Sequence, residues 1–321
     1  MKFLRKLAAP VAALAIGAAA LATPVAGASP ITPASISQGH TASKITVQDK
    51  SLAGENSRKW RQVIKNDARV EHVTAYSTAM GRDIPLAVIR AGDNAPTLYL
   101  LNGAGGAEQN MDWIARYPEL IDFYHSRGVN VVIPQEGAFS YYINWANREP
   151  INGGNGYLQG KQLWEDFLLR ELPGPIERHL NANDKRAIAG FSMSATSSLL
   201  LAEKAPGFYD GVGSFSGCAE TSSFLGYKSA ELTVNRAGAN VVNMLGPQGS
   251  DHNRANDALI NAEGLRDTAL YISNATGLAG GYDMPGYYTA QGVNPAEASA
   301  GAATLIVEGG AIEAATNICT H

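Results

Sequence analysis

Beyond its first two dozen residues the 321-residue sequence has no apolar run long enough to cross a bilayer. It has no excess of basic residues either: 25 Lys and Arg stand against 29 Asp and Glu. A nucleic-acid partner wants a basic patch, so this balance excludes that class. Neither G-x-G-x-x-G with its acidic partner nor G-x-x-x-x-G-K-[ST] occurs, which discounts a nucleotide cofactor. No cluster of His, Asp and Glu has metal-ligand spacing, so no metal is expected and no cofactor of any kind is called for. Cysteine is scarce, with two in the whole chain.

What is present begins with an export signal. Lys2, Arg5 and Lys6 form a basic start, an alanine-rich apolar run covers Leu7 to Ala22, and Ala26-Gly27-Ala28 supplies a small-residue cleavage site. Residues 1–28 therefore read as a secretory signal peptide. The competing reading, a membrane anchor, suffers from the shortness of the run and from Pro10 and Gly17 within it. Removing three positive charges leaves 22 basic against 29 acidic residues, a net of −7. In an exported chain two cysteines suggest one disulfide, Cys218 to Cys319, with two free thiols as the alternative.

Residues 29–43 are rich in Pro, Ser, Thr and Gly and read as a flexible leader. Residues 44–321 then make one domain. Early strands are expected at "ITVQD", "VEHVTAYS" and "IPLAVIR". Continuous apolar runs at Thr97 to Gly103, Val129 to Pro134, Arg186 to Phe191, Gly211 to Gly217 and Thr268 to Asn274 predict strands buried on both faces. "WIARYPELIDFYHSRG" has helical period, and "KQLWEDFLLRELPGPIERHL" reads as a helix pair broken by Pro173 and Pro175. Alternating strands and helices predict an α/β fold, with a mainly parallel central sheet and helices on both faces. Two long loops, Gln135 to Gly160 and Ser222 to Ala255, are candidates for function. The first carries Tyr141, Tyr142, Trp145 and Tyr157, which either line a pocket or simply pack the loop down.

"RAIAGFSMSATSSLLLAEKAP" places one serine between a buried strand and a helix. The pattern is Gly190-x-Ser192-x-Ser194, with small residues on either side because the backbone must fold back sharply at a nucleophile. The helix N-terminus would aim amides at a developing oxyanion, the Met193 amide first. A bland alternative is that Ser192 only caps the helix. The second oxyanion donor should come from the loop after an earlier strand, and "LLNGAGGAEQN" supplies one in Ala104.

The blocks "YLLNGAGG", "FSYYINWA", "LWEDFLLRELPGPI", "AGFSMSATSSLLLA", "GVGSFSGC" and "NMLGPQGSDHNRANDALINAEGLRDTALYIS" occur in that order. From about Lys44 to the last residue the chain resembles the antigen 85-type mycolyltransferases and their corynebacterial relatives, members of the α/β-hydrolase esterase superfamily. The resemblance implies a cell-envelope enzyme. It would take a mycolyl group from trehalose monomycolate, hold it on serine, and pass it to a second trehalose glycolipid or to arabinogalactan, an envelope polysaccharide. It implies Ser192 as nucleophile, Met193 and Ala104 as oxyanion donors, and Glu313 in "GGAIEAATNICTH" as the catalytic carboxylate. Asn102 and Gly103 fall on the sugar-binding loop. Where the family often has an acidic residue and an arginine touching trehalose, this chain has Asn102 and Gly105.

The family's base lies in a T-H-S-W motif beyond the carboxylate, and no such motif precedes His321. In this fold class the order is serine, acid, histidine, which disfavours His252. On one helix His321 would sit about 12 Å from Glu313 along the axis. The sequence thus predicts that the fold's last elements are missing and that these 321 residues have little activity, since losing the base costs on the order of 10⁴- to 10⁶-fold. Two other outcomes stay open: a secreted carboxylesterase, and a non-enzymatic envelope protein that binds glycans or matrix through the aromatic loop.

Overall fold

The computed structural model describes residues 33–274 and 281–300. In chain order these form α1 (Pro33–Ile36), β1 (Ile45–Val47), α2 (Lys59–Ile64), β2 (Val70–Ser77), β3 (Arg82–Ile89), β4 (Thr97–Leu101), α3 (Trp113–Arg116), α4 (Leu120–Ser126) and β5 (Asn130–Pro134). A short hairpin follows, β6 (Ile151–Asn152) and β7 (Gln159–Gly160). Then come α5 (Pro173–Leu180), β8 (Arg186–Phe191), α6 (Met193–Glu203), β9 (Gly211–Phe215), α7 (Phe224–Asn235), α8 (Val241–Leu245), α9 (Asp251–Ala255), β10 (Ala269–Ser273) and α10 (Pro285–Ala290). The signal peptide, Glu313, Cys319 and His321 lie outside the described residues.

Among the described residues, eight strands make one sheet in the order β1-β2-β3-β5-β4-β8-β9-β10. The first four are joined antiparallel, and β5, β4, β8, β9 and β10 run parallel. Period-2 alternation sends each central strand's side chains to two cores. Leu98, Leu100, Val131 and Ile133 join Trp60, Ile64, Ile114 and Ile121 of α2, α3 and α4. Tyr99, Leu101, Val132 and Ile188 join Phe167, Leu200, Leu201 and Tyr227 on the opposite face. Each such aliphatic side chain contributes roughly 1.5–3 kcal/mol by leaving water, which is why continuous apolar runs suit these strands.

All five expected strands are present, but β10 is not buried on both faces: it pairs only with β9 among the described residues, at the edge of the sheet, and Leu270, Tyr271 and Ile272 are exposed. Three other expectations are corrected. The helix predicted over residues 113–128 is two, because Pro118 cannot donate the amide a continuous helix needs. Residues 222–255 are not a long loop but carry α7, α8 and α9. Their starts are capped by the side chains of Ser223, Asn240 and Ser250, which accept from the amides of Gly226, Val242 and Asn253. Within the leader, residues 33–36 form a helical turn with Ile36 packed against the core.

The chain leaves β4 for β5 on one side and later returns to β8 on the other. This is a topological switch point, and it opens a crevice beyond the carboxyl ends of β4 and β8. Those two strands are in register from Thr97↔Arg186 to Leu101↔Gly190, so the loop after Leu101 and the turn after Phe191 leave the sheet side by side.

Candidate active site

Ser192 is the single residue between β8 and α6. Its backbone sits at φ 54°, ψ −123°, a region L-residues avoid at a cost of about 1–3 kcal/mol. Its N–H donates to the Phe215 carbonyl at 2.8 Å. The side chain makes no capping hydrogen bond and is exposed, so the helix-cap reading does not describe it. Instead the strained turn lifts the hydroxyl clear of the helix it precedes.

The neighbours explain how the turn is held. A Cβ at Gly190 would lie 2.2 Å from the Ser194 carbonyl oxygen, so only glycine fits there. One at Gly217 would lie 2.3 Å from the Ala195 Cβ. Ser194 is fully buried; its Oγ accepts from the Phe191 N–H at 3.0 Å and lies 3.1 Å from the Leu101 carbonyl, to which it can donate. The residue that replaces the usual second glycine therefore stitches the turn to the end of β4. Thr196 and Ser198 lash α6 down through the carbonyls of Cys218 and Gly213.

Met193 is buried, and Ala104 is half-buried on the loop after β4. Among the described residues neither amide donates to a backbone acceptor. Gly103 lies under the Phe191 ring, where a Cβ would come within 2.7 Å of ring carbon. Asn102 does not reach the surface. It is fully buried, its Nδ2 donating to the Pro134 carbonyl at 2.6 Å and its Oδ1 accepting from the Trp113 N–H at 3.1 Å. Its role in this structure is to anchor the glycine loop to β5 and α3.

Ser192 opens into a cleft lined by Tyr141, Met193, Thr196, Ser216, Cys218 and Thr233, among others. No histidine or carboxylate among the described residues lines it. His252 is elsewhere: its Nε2 is 3.1 Å from the Met244 carbonyl, and burial lowers its pKa, helped by Lys204. His72 packs edge-on against Trp60 and is pushed down to about 4, mainly by burial. His179 pairs with Glu71 at 2.6 Å, and His40 contacts Arg170. The structure thus brings together Ser192 and the Met193 amide, with the Ala104 loop on the adjoining strand. The second cysteine, the carboxylate Glu313 and the terminal histidine belong to undescribed residues.

The loop after β5 contributes more than sequence suggested. Phe139, Tyr141 and Tyr142 all have positive φ, at 61°, 56° and 48°. Tyr141 is buried, lines the cleft and has its hydroxyl pushed up to about 12 by burial. Its carbonyl accepts from Ser197 Oγ of α6. Both sequence readings of the loop hold at once, since its aromatics pack it down and one of them reaches the cleft. Glu108, buried behind the glycine loop, gave no signal beyond being an acid two residues past a glycine pair.

Residues 77–278 match the family described as "Putative esterase". Among curated proteins the diacylglycerol acyltransferase/mycolyltransferase Ag85A of Mycobacterium tuberculosis is 32% identical over 224 residues, covering 67% of this chain and 64% of the relative. The Ag85A of Mycobacterium leprae is 31% identical over 223 residues, covering 67% and 66%. The chain therefore spans somewhat under two thirds of the length of these relatives. Among solved structures, Mycobacterium tuberculosis MPT51 (FbpC1) superposes with a TM-score of 0.57 at 22% identity, over 79% of this chain and 86% of the other, a likeness of fold.

Proposed function

The chain belongs to the esterase family, and from that premise we propose that it is an exported acyltransferase of the antigen 85 type working through an acyl-enzyme on Ser192. The observation that carries the reading is the hydroxyl of Ser192, held exposed by a strained turn that offers it no capping role. Attack by this oxygen on an ester carbonyl would place negative charge beside the Met193 amide, with Ala104 as second donor. Two such preorganised donors are the usual source of much of the rate in acyl transfer. Similarity to the Ag85 mycolyltransferases supports a trehalose mycolate or related acyl glycolipid as donor, and a trehalose glycolipid or arabinogalactan as acceptor. Export through residues 1–28, Glu313 as the carboxylate and a Cys218–Cys319 bridge belong to the same proposal.

Nothing among the described residues of the cleft can serve as base. Water as acceptor, which would make the protein a carboxylesterase, gains support from Asn102, whose amide is spent on the backbone rather than facing a sugar.

The test is to incubate the 321-residue protein with a fluorophosphonate and with trehalose monomycolate. An adduct confined to the peptide bearing Ser192, lost in Ser192→Ala, supports the acyl-enzyme. Transfer into trehalose dimycolate separates the transferase from the esterase, which releases only free acid. No adduct under any condition favours the non-enzymatic binding protein.

A further inference from the structure

The loop after β5 touches both halves of the proposed oxyanion hole. Three consecutive amides, those of Gly137, Ala138 and Phe139, are taken up by the segment carrying Ala104. Gly137 and Ala138 donate to Glu108 Oε1 at 2.8 and 3.1 Å, and Phe139 donates to the Ala104 carbonyl at 2.9 Å. Two residues on, the Tyr141 N–H points at Met193 Sδ at 3.3 Å and the Tyr141 carbonyl accepts from Ser197 of α6. The loop is therefore a bridge, hydrogen-bonded to the Ala104 segment at one end and to the nucleophile helix at the other. Its positive-φ residues, Phe139, Tyr141 and Tyr142, make it costly to hold in this shape.

We propose that Glu108 is a positioning residue for the oxyanion hole: its carboxylate holds Gly137 and Ala138, and through that bridge fixes the Ala104 amide relative to the Met193 amide. The proposal rests on the acyl-enzyme reading above, because it concerns the same hole. The fit around Glu108 is close. A Cβ on Gly106 would lie 2.5 Å from Glu108 Oε2, so glycine is what lets the carboxylate sit behind the loop. Among the described residues Oε2 has no hydrogen-bond partner, and it lies 3.9 Å from Arg58 Nη1. A carboxylate accepting two amides makes charge-assisted bonds, roughly twice as strong as those to a neutral acceptor.

The groups facing Glu108 are Arg58 before the start of α2, Glu136 beside the bridge, and the Tyr142 hydroxyl. Burial raises the Glu108 pKa to about 7, and Glu136 adds to this; the Ala138 N–H and Arg58 pull it down. Glu136 is itself paired with Arg82 at 2.7 Å. The latch thus passes from a neutral acid to a carboxylate across the neutral range. Its hold on the bridge strengthens as pH rises through about 7.

The experiment compares the full chain with Glu108→Gln, Glu108→Asp and Glu108→Ala. The first readout is the rate of Ser192 phosphonylation by a fluorophosphonate from pH 5.5 to 8.5. The phosphonyl oxygen occupies the same hole, so the rate reports its geometry. Gln imitates the protonated acid, so the wild-type to Glu108→Gln rate ratio should grow from about one at pH 5.5 to about ten at pH 8, with Glu108→Asp recovering part of the loss. The second readout is amide exchange: Glu108→Ala should lose at least about tenfold protection at Gly137–Phe139 while β5 keeps its own. A ratio flat with pH, or unchanged exchange at the bridge, overturns the proposal. If the wild type gives no Ser192 adduct at all, the acyl-enzyme reading fails, and the exchange measurement alone decides whether Glu108 holds the bridge.

Discussion

At the scale of single residues, the turn is defined by what has no room. Gly190 and Gly217 are hemmed in by the backbone and side chains of α6, and Ser194 satisfies polar groups on two strands. Gly190→Ala would put a methyl group 2.2 Å from a carbonyl oxygen. The expected cost is about 3 kcal/mol or more, read as a lower midpoint in urea unfolding, together with loss of Ser192 labelling. Ser194→Ala leaves the Phe191 N–H without its acceptor, and a destabilisation of about 1–3 kcal/mol is expected in the same assay. An unchanged midpoint in either variant would show that the turn is not held this way. The sharp turn at Ser192 was legible in sequence because small residues two positions to either side have one steric reason. Glu108 was not, because its partners are amides thirty residues away that no local pattern reveals. Asn102 was placed on the right loop, but the sequence could not tell that its amide turns inward.

At the scale of elements, β4, β8 and α5 are joined by one buried ion pair. Arg186 Nε and Nη2 donate to Glu177 at 2.7 and 2.8 Å, and the Tyr99 hydroxyl donates to the same carboxylate at 2.9 Å. Both charged side chains are less than a tenth exposed. Arg186→Met alone strands the Glu177 carboxylate and should cost about 3–5 kcal/mol, whereas Arg186→Met with Glu177→Leu should recover most of that loss. Equal losses in the single and double variants, by urea unfolding, would contradict this account. The central strands β4 and β5 were legible because burial on both faces leaves mostly apolar choices, whereas β10 is apolar yet exposed. The helices α7 to α9 were not, since their starts depend on polar caps and their exposed faces, with Phe224 and Leu232, break the expected periodicity.

At the scale of the whole sheet, the antiparallel edge and the parallel centre put the glycine loop and the Ser192 turn at one switch point, which is how segments about ninety positions apart come to lie side by side. Away from that crevice, Glu203 at the end of α6 borders an apolar hollow with Leu199, Leu265, Leu270 and Ile272. Among the described residues neither carboxyl oxygen has a hydrogen-bond partner, and burial holds its pKa up at about 8, with Asp257 adding to it against Lys204. A carboxyl whose folded pKa is raised contributes stability that is fully present below the unfolded value, near 4.5, and lost as pH rises through about 8. Glu203→Gln should therefore match the wild type near pH 4.5 and exceed it by roughly 2–4 kcal/mol at pH 9, measured by thermal or urea unfolding. A gap independent of pH would mean that Glu203 does not titrate as described. The central claim, that Ser192 is the hydroxyl that takes an acyl group, has a more direct test in intact-protein and peptide mass spectrometry after prolonged exposure to a fluorophosphonate. The account predicts a single adduct, on Ser192, absent from Ser192→Ala and weakened when the bridge is loosened at Glu108. An adduct on another residue, or one that persists in Ser192→Ala, would contradict it.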